Sequence, residues 1–179
     1  ETRRKVGEIN LGESRRPHGI DLDPRTNRLV VTTENPDQLL LIDLKSRRIL
    51  RRHGTKGKTS HMVTLGPRAQ WAYVSNSGSG NVSAIHVATG EVKLIPTGER
   101  TQQSVLSRDG KRLYVVSKDS DQITVIDTRH QERRSVFATG RGPSRLALTP
   151  DGKTLVYNLG YAHSIGLADV KSQKQIGQI

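Results

Sequence analysis

The sequence contains no cysteine. This excludes disulfides, thiolate metal sites, cysteine nucleophiles and covalently attached c-type haem, and it leaves the compartment open because an exported protein need not use disulfides. Aromatic residues make up only 3% of the chain. A core must therefore be assembled from Val, Ile, Leu and Ala, which suits thin β-layers better than a few large anchors. The same scarcity counts against single-stranded nucleic acid as a partner, since its binders stack bases on aromatic rings. No window approaches the roughly 18 uninterrupted apolar residues of a membrane-spanning helix. No stretch sustains a helical hydrophobic period. Carboxylates are also in short supply: 17 Asp and Glu stand against 29 Lys and Arg, a net charge of +12. That excess favours anionic partners through long-range attraction. No basic-then-apolar leader opens the chain at Glu1, so any targeting peptide is expected to lie outside these 179 residues.

What the chain has is repetition. The stretch Ser107-Arg108-Asp109-Gly110-Lys111, followed by the β-rich run Arg112–Ser117, returns as Thr149-Pro150-Asp151-Gly152-Lys153 followed by Thr154-Leu155-Val156-Tyr157. Asp-Gly ahead of such a run predicts a tight hairpin, because glycine supplies the positive φ. Asp43, His86, Asp127 and Asp169 recur at steps of 43, 41 and 42, and Leu29, Ala72, Leu113 and Leu155 keep the same steps. A period near 42 with several short strands per unit predicts four-stranded antiparallel β-propeller blades. The units run approximately 12–53, 54–97, 98–139 and 140–179. Within them Leu39/Leu41, Val82/Ala84, Ile123/Val125 and Ile165/Leu167 point one way along the third strand. Leu40/Ile42, Ser83/Ile85, Thr124/Ile126 and Gly166/Ala168 point the other. Both faces are apolar or small, as stacking between two neighbours requires. Residues 1–11 read as the outer strand of a preceding blade, with Val6 and Ile9 matching Ile176 and Ile179. The expectation is an all-β single domain over 1–179: about four blades plus one extra outer strand, a segment of a larger propeller. Its uncovered apolar faces would be surfaces for self-association.

The words Tyr73-Val74-Ser75-Asn76, Leu113-Tyr114-Val115-Val116-Ser117, Thr124-Val125-Ile126-Asp127 and Gly142-Pro143 through Pro150-Asp151-Gly152-Lys153 resemble those of the YVTN family of β-propeller repeats, which includes the YncE-like group. The resemblance covers essentially the whole chain and is specific for fold. It implies closure with seven blades in the complete propeller and a periplasmic or secreted location. For function it implies less, because the shared words build blades and one fold hosts unrelated chemistries.

In this topology the loops leading into each innermost strand open beside the central channel. The residues there in register are Pro17-His18, Ser60-His61, Thr101-Gln102 and Pro143-Ser144. His18 and His61 are thus equivalent residues on adjacent blades and the only metal candidates; no metal or other cofactor is expected. The same loops carry Arg15, Arg16, Lys58, Arg100, Arg141 and Arg145. Together with His18, His61, Gln102 and Ser144 they form the expected ligand-binding face, suited to a carboxylate or phosphate. Glu34, Asp37, Asp119 and Asp121 occupy second-to-third-strand loops of that face and are expected to pair with the arginines. Asp43, Asp127 and Asp169 are expected to be turn formers. No Ser-His-Asp order, phosphate-cradling glycine loop or zinc spacing stands out. The leading reading is a non-catalytic propeller binding a small anionic ligand or a protein. Two alternatives are enzymes suggested by related-looking propellers: a lactonase, and a haem d1 protein using His18 or His61 as axial ligand. Nucleic acid binding is the third alternative, favoured by net charge alone.

Overall fold

β-Rich runs bounded by clusters of Asp, Gly, Asn and Pro become strands, and the described helix is limited to one 3-10 turn, Pro67–Ala69. The computed structural model describes residues 3–179. The first sheet contains β1 (Arg15–Asp23), β2 (Arg28–Asn35), β3 (Asp37–Asp43) and β4 (Arg48–Gly54). The second contains β5 (Ser60–Leu65), β6 (Trp71–Asn76), β7 (Asn81–His86) and β8 (Val92–Pro96). The third contains β9 (Thr101–Leu106), β10 (Arg112–Ser117), β11 (Gln122–Asp127) and β12 (Glu132–Ala138). The fourth contains β13 (Pro143–Leu148), β14 (Thr154–Leu159), β15 (Ser164–Asp169) and β16 (Lys174–Gln178). Strands within a sheet are hydrogen-bonded in chain order, and every pairing is antiparallel. The four first strands β1, β5, β9 and β13 neighbour one another, so the sheets are four blades of a β-propeller standing side by side.

The two Asp-Gly hairpins are wider than tight two-residue turns: residues 107–111 and 149–153 lie between the paired strands. Asp109 accepts from the Lys111 amide and the Ser107 hydroxyl, and Asp151 accepts from the Lys153 amide and the Thr149 hydroxyl. Gly110 and Gly152 take the positive φ, 69° and 75°. A Cβ on Gly110 would meet Pro67 of the preceding blade at 2.4 Å, so this glycine serves blade contact as well as the turn.

The core lies between blades. Val30, Leu39 and Leu41 of the first blade pack on Val63, Ala72, Val74 and Ile85 of the second. Tyr73, Val82 and Ala84 face Leu113, Val115 and Ile126 of the third. Tyr114, Val116, Ile123 and Val125 face Leu146, Leu155, Tyr157 and Ala168 of the fourth. Each fully buried large side chain of this kind contributes about 1.5–3 kcal/mol. Tyr73, Tyr114 and Tyr157 are the bulkiest of them.

The expected extra outer strand is not formed: residues 3–14 pair with no ladder. An outer strand takes its ladder bonds from a third strand of its own blade, and none of the described residues supplies one. Ile9 and Leu11 instead bury against Val31, Leu40 and Ile42 on the far face of the first blade. Arg47 and Arg52 hold the segment by donating to the Val6 and Leu11 carbonyls, at 2.9 and 3.1 Å. That face is therefore clad in part, whereas Ala147, Val156 and Ile165 remain open on the far face of the fourth blade. No helix among the described residues is long and apolar enough to cross a membrane.

Candidate functional site

Every first strand begins with an irregularity. The ladder slips between Pro17 and Ile20, between Ser60 and Val63, between Thr101 and Ser104, and between Pro143 and Leu146. Each bulge is preceded by a residue in the left-handed region: Arg16, Thr59, Arg100 and Gly142, at φ 55°, 57°, 55° and 74°. A bulge frees two side chains from the pleat and re-aims them. Here the freed pairs are His18-Gly19, His61-Met62, Gln102-Gln103 and Ser144-Arg145.

Polar side chains of the neighbouring strands fix these bulges. Thr32 Oγ1 accepts from the Gly19 amide at 2.7 Å and donates to the His61 carbonyl at 2.6 Å, tying the first blade to the second. Asn158 Oδ1 accepts from the Ser144 and Arg145 amides at 3.2 and 2.6 Å. Gln103 reaches across to accept from the Leu146 amide at 3.3 Å. Gly19 is required by close approach: a Cβ there would stand 2.7 Å from the His61 carbonyl oxygen and the Val63 nitrogen. Without that proximity β1 could not bring His18 against β5.

The two histidines meet. Their ring centroids are 3.9 Å apart with the planes inclined by 36°. Glu34, at the end of β2, joins them, with Oε1 3.7 Å from His61 Nδ1. Its other oxygen is 2.9 Å from the Arg16 guanidinium. The Glu34 side chain is only 6% exposed and that of His61 15%, while Arg16 is 75% exposed. Burial, then the positive field of His18 and of Arg145 from the fourth blade, lowers the His61 pKa; Glu34 opposes that shift. The net direction keeps the His61 imidazole neutral. His61 Nε2 is buried without a hydrogen-bond partner among the described residues.

The remaining expected residues spread around the same rim. Arg100 pairs loosely with Asp119 at 3.8 Å, and Asp119 also accepts from the Tyr161 hydroxyl at 2.9 Å. Lys118 lies over the Tyr161 ring, 4.6 Å from its centroid. Among the described residues Arg15, Lys58, Arg141 and Arg145 stand in no ion pair, and all four are exposed. Ser144 bonds Asn158, and Gln102 is half-buried beside Gln103. Arginine pairing fails for Asp37 and Asp121, which instead accept from backbone amides of the next blade, Ser60 at 2.6 Å and Gly142 at 2.7 Å. A short carboxylate facing an unpaired amide at a blade joint satisfies that amide better than a long, solvated guanidinium would satisfy the carboxylate.

Sequence reasoning missed that Glu34 belongs with the histidines. The signal was present: in register its counterparts are Ser77, Lys118 and Gly160, so only the first blade has a carboxylate there. The anchoring roles of Thr32 and Asn158 left no such trace. A separate cavity of about 100 Å³ lies between the first two blades at the opposite, turn-bearing end, lined by Asp23, Thr26, Arg28, Arg68 and apolar neighbours.

Comparison with known proteins supports the propeller reading. No family model matches the chain. It is 26% identical over 141 residues to the uncharacterized protein YncE of Salmonella typhimurium, covering 76% of this chain and 40% of that protein. YncE of Salmonella typhi matches over the same length at the same identity. The chain thus spans 40% of the length of these curated relatives. The expected resemblance to YncE-like, YVTN-type propellers holds. Among solved structures, Kuenenia stuttgartiensis hydrazine synthase superposes with a TM-score of 0.85 at 22% identity, over 99% of this chain and 52% of that one. A Bacteroides uniformis protein provisionally assigned as a 6-phosphogluconolactonase gives 0.72 at 20% identity, over 91% and 54%. These likenesses establish the fold alone.

Proposed function

We propose that the chain is a non-catalytic binding propeller whose channel-side loops hold a small anionic ligand of the carboxylate or phosphate class. One observation carries this reading: Arg145, on the bulge of the fourth blade, is near enough to His61 for its positive field to lower the His61 pKa, and it has no carboxylate partner among the described residues. Arg16 and Arg100 on the same rim are already engaged by Glu34 and Asp119. The Arg145 backbone is fixed by Asn158, and its guanidinium spends one N–H on the Ser144 carbonyl at 2.9 Å, which leaves the remaining donors for a carboxylate or phosphate. Lys58 and Arg141 add to the positive field there. A periplasmic or secreted location belongs to the same proposal, as the YVTN-type resemblance implies it.

Citrate serves as a probe, titrated calorimetrically at low and moderate salt. The expected result is binding that weakens as salt rises and falls at least about tenfold in Arg145→Glu, a loss comparable to that of one charge-assisted contact. Citrate binding of equal strength in Arg145→Glu and the unmodified chain would contradict the assignment of the mouth. Binding of an acidic protein segment in place of citrate would leave the face correct and the ligand class wrong.

A further inference from the structure

We propose that His18, Glu34 and His61 form the binding site for one divalent transition-metal ion of the zinc class, held between the first and second blades. One ligand atom from each residue lies within 4.8 Å of the other two. Metal–ligand bonds of about 2.0–2.2 Å place tetrahedral ligands about 3.3–3.6 Å apart. The His61 Nδ1 to Glu34 Oε1 separation of 3.7 Å nearly meets that already. It is too long for a hydrogen bond, whose donor and acceptor stand within about 3.2 Å. The exposed His18 has room to rotate the rest of the way.

The Arg16 pair accounts for one Glu34 oxygen, and the two imidazoles have no such partner. His18 makes no hydrogen bond among the described residues, and His61 Nε2 is buried with none. Two imidazoles whose ring centroids stand 3.9 Å apart, one with a buried nitrogen left without a partner among the described residues, gain by binding something in common beside the free Glu34 oxygen. Their positions are supported: Gly19 permits the approach of β1 to β5, and Thr32 fixes both bulges through the Gly19 amide and the His61 carbonyl. The arrangement is confined to one blade joint, because the residues in register with His18 and His61 elsewhere are Gln102 and Ser144, and those in register with Glu34 carry no carboxylate.

The donor set narrows the ion. Two imidazoles and one carboxylate select zinc, cobalt, nickel or copper over magnesium and calcium, which take oxygen ligands. Three protein ligands are the complement of an open site, with a coordination position left for water or an anion from the channel. Arg16 shares Glu34 and its charge opposes the cation, so it moderates affinity without removing a donor. This proposal does not rest on the anion reading, and neither metal-binding readout depends on citrate.

The test is calorimetric titration of zinc chloride into the metal-stripped chain at slightly alkaline pH, with cobalt absorption as a second readout. One ion per chain is expected, weakened at least about tenfold in Glu34→Gln and in His61→Ala, as loss of a ligand or its support does. His130→Ala, a surface control beside Asp127 at the opposite, turn-bearing end, retains the affinity of the unmodified chain. Because His61→Ala removes a half-buried side chain, copper bound to the unmodified chain is also examined by electron paramagnetic resonance. Coupling to two imidazole nitrogens is expected. Absence of a one-to-one complex, affinity unchanged in Glu34→Gln, loss in a control variant, or coupling to fewer than two imidazoles would each overturn the site.

Discussion

The two ends of each blade are built on different rules. At the turn end the blades repeat one device: a carboxylate bends back onto nearby amides and hydroxyls, as Asp43 does with Ser46, Asp127 with Arg129, and Asp169 with Ser172. His86 replaces the aspartate in the second blade and bonds Thr89 in the same manner, through Nδ1. These local bonds hold the pKa values of the aspartates below the usual carboxylate range, led by the Arg129 side chain at Asp127 and the Ser46 hydroxyl at Asp43. At the channel end the shared device is only the bulge, and the side chains it frees differ from blade to blade. Agreement therefore marks where the chain solves a folding problem, and divergence marks the face proposed for binding.

The strongest way to break this contrast is Gly19→Ala. The added methyl meets three backbone atoms of β5 at 2.7–2.8 Å, and overpacking of that kind costs about 2–3 kcal/mol. Denaturant unfolding is expected to shift by that amount, and metal and citrate binding should both fall because the first and second blades separate at the mouth. An unchanged midpoint would show that β1 and β5 are not held as close as described.

Next comes alkaline stability. Tyr73 donates to Gln131 between the second and third blades at 2.9 Å, and burial pushes its pKa up from 10.0 to about 12. A raised native pKa means that the contribution is complete below pH 10 and is lost as pH rises toward 12. The loss is about 2–3 kcal/mol for two pKa units. Tyr73→Phe should therefore flatten part of the decline between those pH values; an identical slope in both proteins rejects the assignment. Some slope remains because burial also raises Tyr114 and Tyr157.

A smaller effect separates the two ends directly. Asp127→Asn loses its charge-assisted contact with Arg129 and is expected to lower stability by about 1 kcal/mol, with zinc and citrate affinities unchanged. The stability due to the lowered aspartates is present above the ordinary carboxylate pKa and lost as pH falls through their native values. Acid unfolding should therefore begin below about pH 4 and begin earlier for Asp127→Asn than for a citrate-blind variant such as Arg145→Glu. The smallest stability change is that of Arg145→Glu itself, an exposed substitution expected within about 0.5 kcal/mol. A larger loss would show that Arg145 is structural and not held in reserve for a ligand.

Architecture was legible because it is written redundantly. The steps of 43, 41 and 42 are carried by several positions at once, so the blades and their buried third strands follow from any of them. The N-terminal segment is less legible for the opposite reason: Val6 and Ile9 offer one loose match to Ile176 and Ile179, and two apolar residues spaced that way fit a strand or a covering segment equally. Register also placed His18 beside His61 correctly. It did not bring in Glu34, because the end of β2 and the start of β1 are connected by a pairing across the hairpin, Arg15 with Asn35 and Pro17 with Thr33, and linear spacing does not display that proximity. The turn aspartates were readable from local chemistry alone, since each bonds residues two or three positions away.

The bulges carry an evolutionary corollary. A residue in a regular ladder answers to a partner on each side, so changing it asks for compensation elsewhere. The two residues freed at each bulge answer to no cross-strand partner, and their backbone is held by side chains such as Thr32 and Asn158 on the strand behind. Apart from Gly19 and Gln103, which serve the neighbouring blade, these positions are lightly constrained letters, and selection can rewrite one blade's letters without re-spelling the others. A repeat protein assembled from near-identical units can in this way acquire a mouth that is not symmetric at all.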